Sequence, residues 1–400
     1  MIKIALLGFG VVGSGTAEVL TANKEIIKNK VGCDYEISHI LDLRDFPDSP
    51  FSDKIVHDIN VILNDDEVSV VAEMMGGSHP AYEFTRACLE AGKSVVTSNK
   101  EVVSTFGAEL CSIAAEHGVR YLFEASVGGG IPIIRPLIND LASNKITRIC
   151  GILNGTTNYI LTSMRDKGAD FAEALATAQK LGYAEANPSA DVDGIDAARK
   201  TAILAAIASG KLVDPKGIHT EGISKITLAH TKICAALGLS IKLIGYAEVK
   251  DGKILTLVSP RAIFPANPLC HIDDVFNGIL VNANMVGEVM FYGPGAGKLP
   301  TASAVVADII DVIENRDTAA KAIEWNVADA NDVASLESYS CRRVIIFDDN
   351  SISEKLPAGE LKSCEGIYGL LTDNALTESQ TDKLADELGD KIIASYRVLQ

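Results

Sequence analysis

The chain has 400 residues, 47% of them hydrophobic, which is long enough to bury more than one core and to form two or three domains. Thirty-six basic residues against 53 acidic give a net charge of −17, and no basic run interleaved with aromatics offers a phosphate-backbone footprint, so nucleic acid is excluded as a partner. The eight cysteines are scattered, with no CxxC pair, and read as reduced thiols rather than a zinc site or disulfide scaffold. The opening MIKIALLGFG is too short for the core of a signal peptide, and no apolar stretch approaches the roughly 20 residues that span a bilayer, so the expected compartment is cytoplasmic and no membrane partner is expected.

Ile2–Leu7 is a continuous apolar run suited to a central parallel strand, and it leads into Gly8-x-Gly10-x-x-Gly13 and a predicted helix over Ser14–Asn29. Strand, glycine turn and helix in this order point to dinucleotide binding: the glycines let the backbone approach a pyrophosphate, and the helix start offers N–H groups to it. An ordinary tight βα turn is the competing reading. The next strand, Glu36–Leu41, ends in Asp42-Leu43-Arg44-Asp45, where the signals conflict. An acid here suits the ribose hydroxyls of NAD, while Arg44 suits the 2′-phosphate of NADP, and either side chain reads equally as a solvated loop charge.

Val68–Met75 reads as a buried strand closed by Gly76-Gly77, followed by a helix over Ala81–Ala91 and a strand over Ser94–Thr97 that ends in Ser98-Asn99-Lys100. Ligands of a doubly wound sheet collect beyond the carboxyl ends of its strands, which puts Lys100 at the active edge; a solvated loop lysine is the plainer alternative. A helix near Ala108–His117 and a strand over Arg120–Glu124 continue the alternation. Glu124-Ala-Ser-Val-Gly-Gly-Gly-Ile-Pro-Ile-Ile134 then sets a carboxylate beside turned carbonyls, an all-oxygen nest for a hard cation or a hinge between domains.

A strand over Arg148–Leu153 leads through Asn154-Gly155-Thr156-Thr157-Asn158 into a helix, with the threonines placed as caps or as donors to a carboxylate or carbonyl. A helix over Phe171–Leu181 precedes LGYAEANPSADVDGIDAARK, the stretch that organises the chain. Glu185, Asp191, Asp193 and Asp196 crowd into its loop, Asp193 is placed as N-cap, and the following helix is apolar on most faces. Asp196 and Lys200 sit four apart, so they share a face with the acid N-terminal to the lysine. Burial strengthens such a pair and makes the lysine's proton easier to move, as a carbonyl reduction requires; an acidic loop with one structural ion pair is the bland alternative.

Downstream the pattern is α+β: a helix over Leu228–Leu237, strands over Ile241–Val249 and Lys253–Val258, and a strand within Ala283–Tyr292. Gly293-Pro-Gly295-Ala-Gly297 precedes a long apolar helix with Thr301 or Ser303 near its start, expected to pack back on the first domain. From Ser338 a strand over Ser340–Phe347, an apolar run at Gly366–Leu371, a helix over Thr377–Leu388 and a strand over Lys391–Leu399 read as a small separate domain.

Six motifs in one order resemble homoserine dehydrogenase: GFGVVGSG, TSNK at 97–100, EASVGGGIPII at 124–134, NGTTNYIL at 154–161, the LGYAEANPSADVDGIDAARK stretch, and GPGAGKLPTASAVVADI at 293–309. The resemblance implies an α/β fold: a doubly wound Rossmann domain over 1–130 with the helix near 300–315 packed on it, an α+β catalytic and dimerisation domain over 131–300, and an ACT-like domain over 336–400. It implies reversible NAD- or NADP-dependent interconversion of L-homoserine and L-aspartate 4-semialdehyde, in the pathway to threonine, methionine and isoleucine, by a homodimer or higher homo-oligomer. Carried over, Gly8, Gly10, Val11, Val12 and Gly13 hold the pyrophosphate, with Arg44, Gly76, Thr97, Ser98, Lys100 and Gly297 also on the coenzyme. Lys200 and Lys100 are the catalytic lysines and Asp196 supports Lys200. Glu185, Asp191, Tyr183, Thr156 and Gly155 hold substrate, and Glu124 with the carbonyls of Val127, Gly129 and Ile131 holds a monovalent cation, Na⁺ or K⁺.

The chain departs from the family at two places: Asp42 stands where an apolar residue commonly precedes the Arg-Asp pair, and the Asp-x-Pro-Gly turn usual after the first ACT strand is absent. Two other readings keep the glycines, a dehydrogenase for another small amino-acid aldehyde and a dinucleotide-sensing regulator without chemistry. The first need not keep Glu185, Asp191 and Lys200 together, and the second tolerates neutral residues at both lysines.

Overall fold

The computed structural model describes residues 1–320 and 323–399, which form two compact units: Met1–Lys145 with Ala202–Pro215 and Gly293–Ala328, and Ile146–Thr201 with Lys216–Tyr292 and the stretch from Asp329 on. In the first, β1 (Ile2–Leu7), α1 (Val11–Ala22), α2 (Lys24–Val31), β2 (Tyr35–Leu41), β3 (Ile55–Val56) and α3 (Ile59–Leu63) are followed by β4 (Val68–Glu73), α4 (Ala81–Glu90), β5 (Ser94–Thr97), α5 (Lys100–Glu116) and β6 (Tyr121–Leu122). Among the described residues the six strands form one parallel sheet in the order β3-β2-β1-β4-β5-β6, the doubly wound arrangement with its switch point between β1 and β4. Strand β1 is fully buried from Ile4 to Leu7, as a central parallel strand requires.

The predicted helix over Ser14–Asn29 is two helices, because Asn23 leaves the helical region at φ −103°, ψ 21° and starts a new turn. The helix expected near Ala108–His117 begins earlier, at Lys100, where Asn99 caps it by accepting the N–H of Val102.

The second unit holds β7 (Ile146–Ile152), α6 (Gly155–Lys167), α7 (Phe171–Lys180), α8 (Ser189–Val192) and the first turns of α9 (Ile195–Ser209), which runs on into residues of the first unit, as does β8 (Lys211–Leu212). Then come β9 (His219–Thr220), α10 (Leu228–Ala236), β10 (Ser240–Lys250), β11 (Lys253–Ile263), β12 (Phe276–Ala283) and β13 (Gly287–Pro294). The long helix α11 (Lys298–Glu314) belongs to the first unit, and a β-carbon on Gly15 of α1 would stand 2.9 Å from its Lys298 and 3.2 Å from its Ala302. It starts after Gly297, upstream of Thr301 and Ser303.

The C-terminal stretch comprises β14 (Asn326–Val327), β15 (Ser340–Cys341), β16 (Arg343–Phe347), β17 (Gly359–Cys364), β18 (Ile367–Thr372), β19 (Leu376–Thr377), α12 (Glu378–Leu388) and β20 (Ile392–Leu399). Among the described residues, ten strands share one mixed sheet, β13-β12-β7-β10-β11-β20-β16-β18-β17 with β9 beside β11. The C-terminal strands therefore continue the sheet of β7 and β10–β12, through the parallel pairing of β11 with β20. Among the described residues no helix is long and apolar enough to cross a membrane.

Candidate active site

Every loop the sequence marks at a strand's carboxyl end in the first unit follows its strand directly. Gly8 leaves β1 at φ +90°, and a β-carbon on Gly13 would lie 2.0 Å from the Gly8 carbonyl oxygen, so the turn closes only on a residue without a side chain. Around Gly10 a β-carbon would meet nothing within 4 Å, leaving open space at the start of α1, where Val11 and Val12 are the first helical residues. Gly10 is the N-cap and, among the described residues, no side chain caps the helix, which leaves its first N–H groups without a capping acceptor.

Asp42, just past β2, ties the turn down: its Oδ2 accepts the Phe9 N–H at 2.8 Å. Arg44 clasps the same carboxylate, Nε to Oδ1 and Nη2 to Oδ2 at 3.0 Å each, and holds its pKa down to about 2. The competition at this loop resolves into an ion pair, with Arg44 also 5.0 Å over the Phe46 ring.

Beyond β4 lies a group the sequence reading missed. Glu73, the last residue of that strand, is fully buried; its Oε2 accepts from Thr97 Oγ1 at 2.6 Å and its Oε1 from the Met75 N–H at 2.7 Å. Burial pushes its pKa up to about 7. Asn99 completes the knot, its N–H donating to Thr97 Oγ1 and its Nδ2 to the Gly77 carbonyl, both at 2.8 Å. Thr97, Asn99 and the loop that contains Gly76 are thus fixed to one carboxylate, Ser98 donates its N–H to the Glu73 carbonyl, and Lys100 opens α5 beside them. The available signal was a carboxylate inside the apolar run VVAEMM.

In the second unit the acidic stretch folds against the start of α6. Asn154 caps that helix by accepting the Thr157 N–H at 2.9 Å, and its Nδ2 donates to Asp191 Oδ1 at 2.7 Å and to Asp196 Oδ2 at 2.9 Å. Lys200 Nζ lies 3.0 Å from that Asp196 oxygen and donates to the Leu153 carbonyl at 2.7 Å, with both charged residues buried. The helical i, i+4 pair is formed as the spacing predicts. Thr156, relieved of capping, donates to the Tyr183 carbonyl, and the Tyr183 ring meets Tyr159 edge-on at 5.1 Å. Gly155 lies so close to the Val275 carbonyl that a β-carbon would stand 2.5 Å from it.

Asp193 is not the N-cap of α9. It ends α8 at φ −87°, ψ −2°, and Gly194 at φ +83° turns the chain, its carbonyl accepting the Ala198 N–H. An N-cap needs extended backbone, which the short helix α8 ending at Asp193 denies to it. Glu185 is exposed, held through its main-chain carbonyl by Gln179.

Glu124 spends its carboxylate on main-chain donors: Oε1 accepts the N–H of Ile133 and Ile134 at 2.6 and 2.8 Å, and Oε2 that of Arg135 at 2.7 Å. Among the described residues no main-chain hydrogen bond ends on the carbonyls of Val127, Gly129 or Ile131. An all-oxygen donor set with unengaged carbonyls fits a monovalent cation, and among the described residues no group of three His, Cys, Asp or Glu converges as a site for another metal.

A parallel sheet with a glycine turn at its switch point, together with a buried lysine held between a carboxylate and a carbonyl, defines a dinucleotide-binding oxidoreductase. The homoserine dehydrogenase family profile matches residues 132–310, and the profile of that family's NAD-binding domain matches residues 8–124. The homoserine dehydrogenase of Synechocystis sp. is 44% identical over an alignment covering 78% of this chain and 73% of that protein. A homoserine dehydrogenase structure from Thiobacillus denitrificans superposes with a TM-score of 0.92 at 32% identity, covering 100% of this chain and 98% of that one. A hyperthermophilic archaeal homoserine dehydrogenase in complex with NADPH matches at a TM-score of 0.67 and 28% identity, covering 78% and 97%. The chain belongs to the homoserine dehydrogenase family.

Proposed function

We propose that the chain transfers hydride reversibly between NAD(P)H and L-aspartate 4-semialdehyde, giving L-homoserine for threonine, methionine and isoleucine biosynthesis. The observation that carries this reading is the Asn154 fork, which holds Asp191 and Asp196 together beside Lys200. Carboxylates gathered beside the lysine suit a substrate with an α-ammonium group, which a plain carbonyl substrate would not need. When bound, the reduced nicotinamide supplies the hydride. Lys200 gives a proton to the carbonyl oxygen as it gains charge, and Asp196 holds the ammonium in place. Asp191 and Glu185 take the substrate ammonium, with Tyr183, Thr156 and Gly155 beside it, and Lys100 is the second catalytic lysine.

Gly8, Gly10, Val11, Val12 and Gly13 carry the pyrophosphate, and Arg44, Gly76, Thr97, Ser98, Lys100 and Gly297 complete the coenzyme set. A monovalent cation, Na⁺ or K⁺, is held by Glu124 and the carbonyls of Val127, Gly129 and Ile131, and braces that turn when bound. The functional division is a dinucleotide-binding domain over 1–130, a catalytic and dimerisation domain over 131–300 and an ACT-like domain over 336–400. Exposed Phe276, Met285, Met290 and Tyr292 on the β12–β13 hairpin support a homodimer or higher homo-oligomer, and the working compartment is the cytoplasm.

The test follows oxidation of NADH and of NADPH separately with L-aspartate 4-semialdehyde, with and without Na⁺ and K⁺. Turnover that depends on the aldehyde is expected; silence with both coenzymes overturns the reading.

A further inference from the structure

Strands β10, β11, β20 and β16 lie side by side, and their register sets four cationic residues in line: Lys242 opposite Arg261, Arg261 opposite Arg397, and Arg397 opposite Arg343. Cross-strand partners share a face, so the four form one row, and all are buried. Three of them are matched by carboxylates. Lys242 Nζ lies 2.8 Å from Asp273 Oδ1, and Arg343 donates to Glu378. Arg397 grips both oxygens of Glu378 with Nε and Nη2 at 2.8 and 2.9 Å and reaches Glu221 with Nη1 at 2.7 Å.

Arg261 differs. Its guanidinium lies 4.4 Å from the ring centre of Tyr246 and 5.4 Å from that of Tyr339, and Nη1 donates to the Tyr339 hydroxyl at 2.8 Å. Neither Nε nor Nη2 has a hydrogen-bond partner among the described residues, although the side chain is fully buried. These two N–H groups lie on one edge and run parallel, the edge by which a guanidinium takes two oxygens of a carboxylate or phosphate. Arg397, one strand away, uses that same edge on Glu378. A buried cation left without an anion is costly, which makes the missing partner informative.

Arg261 lines a cavity of about 410 Å³ whose wall also carries Arg148, Lys250 and Lys253 against Glu248 and Asp251. Among these lining residues cations outnumber acids four to two, with Arg148 Nε donating to Asn282 Oδ1 at 3.0 Å and Lys253 Nζ to the Asn331 carbonyl.

We propose that this cavity binds a small oxyanion, two of whose oxygens accept from Nε and Nη2 of Arg261 while Arg148 and Lys253 offset its remaining charge. Tyr246 and Tyr339 cover the guanidinium, so entry swings the Tyr339 ring aside. Carboxylate and phosphate groups present the same pair of oxygens. The site lies within the second unit and does not rest on the catalytic reading above.

The test is calorimetric titration of the full chain with inorganic phosphate and, separately, with succinate, at ionic strength fixed by NaCl and with excess NADH to keep the anion off the glycine turn. Saturable uptake of one anion per chain is expected. Preference for phosphate or succinate assigns the ligand's source, and equal uptake leaves the two-oxygen geometry as the determinant. Arg261→Lys, which keeps the charge and loses the parallel edge, is expected to weaken binding tenfold or more. If that variant does not fold, the rim pair Arg148→Ser with Lys253→Ser is expected to weaken it about fivefold. No saturable uptake of either anion, or unchanged affinity in the folded variant, overturns the proposal.

Discussion

Asp42 accepts the main-chain N–H of Phe9, so the acid that ends β2 is bonded to the glycine turn that follows β1. With Arg44 clasping it from the other side, the carboxylate is fixed and stays ionised at any working pH. A ribose hydroxyl can donate to it, whereas a 2′-phosphate meets a fixed negative charge and an arginine whose Nε and Nη2 are already engaged. Asp42→Gly is therefore expected to raise kcat/KM for NADPH relative to NADH by about tenfold or more. Initial rates with each coenzyme give the ratio, and an unchanged ratio removes the role.

Two glycines of one turn are expected to respond oppositely. Gly13→Ala drives a methyl group into the Gly8 carbonyl and should cost roughly 1–3 kcal/mol of stability in urea unfolding. Gly10→Ala meets nothing, so its stability should stay within about 0.5 kcal/mol of the parent. Its NADH affinity, followed by fluorescence titration, should fall because the methyl group occupies the approach of the pyrophosphate.

Lys200→Met should lower kcat by roughly 10²–10⁴ while leaving the folded circular dichroism spectrum intact. Asn154→Ala frees Asp191 and Asp196 from their common donor, and a smaller loss, about tenfold, is expected together with a raised KM for the aldehyde. Near-normal turnover in Lys200→Met with loss in Lys100→Met would exchange the two lysines' roles.

Glu73 carries a pH signature. Its folded pKa of about 7 lies above that of an exposed glutamate, so the native state binds the extra proton. The stabilisation is complete below the unfolded value near 4.3 and is lost as pH rises through about 7. Across that window stability should fall by up to about 1.4 kcal/mol per pH unit, and Glu73→Gln should flatten the slope in chemical unfolding measured at a series of pH values.

Glu124→Gln keeps the shape but turns one acceptor oxygen into a donor facing main-chain N–H groups. A loss of about 1–3 kcal/mol is expected from thermal unfolding. If the carboxylate also holds a cation, any response of the rate to Na⁺ or K⁺ should disappear with it.

Much of this was legible in the chain. The glycine turn, the strands of the first sheet and the Asp196–Lys200 spacing follow from local pattern, because each depends on residues within a few positions of one another. Asp193 was misread because a cap depends on the residue's own backbone angles, and as the end of α8 Asp193 keeps near-helical ones. Glu73 and Asn154 were passed over as site members for another reason: their meaning comes from partners 24 and 42 residues away. Strands β12 and β17 were missed because neither carries a clear alternation between apolar and polar residues.

The pairing of β11 with β20 has a kinetic cost. Arg261 and Arg397 must meet across more than a hundred intervening residues, and until they do, β11 and β16 each present an open edge. Sheets closed by such distant partners assemble slowly and leave sticky intermediates. Refolding yield from denaturant should accordingly drop with protein concentration.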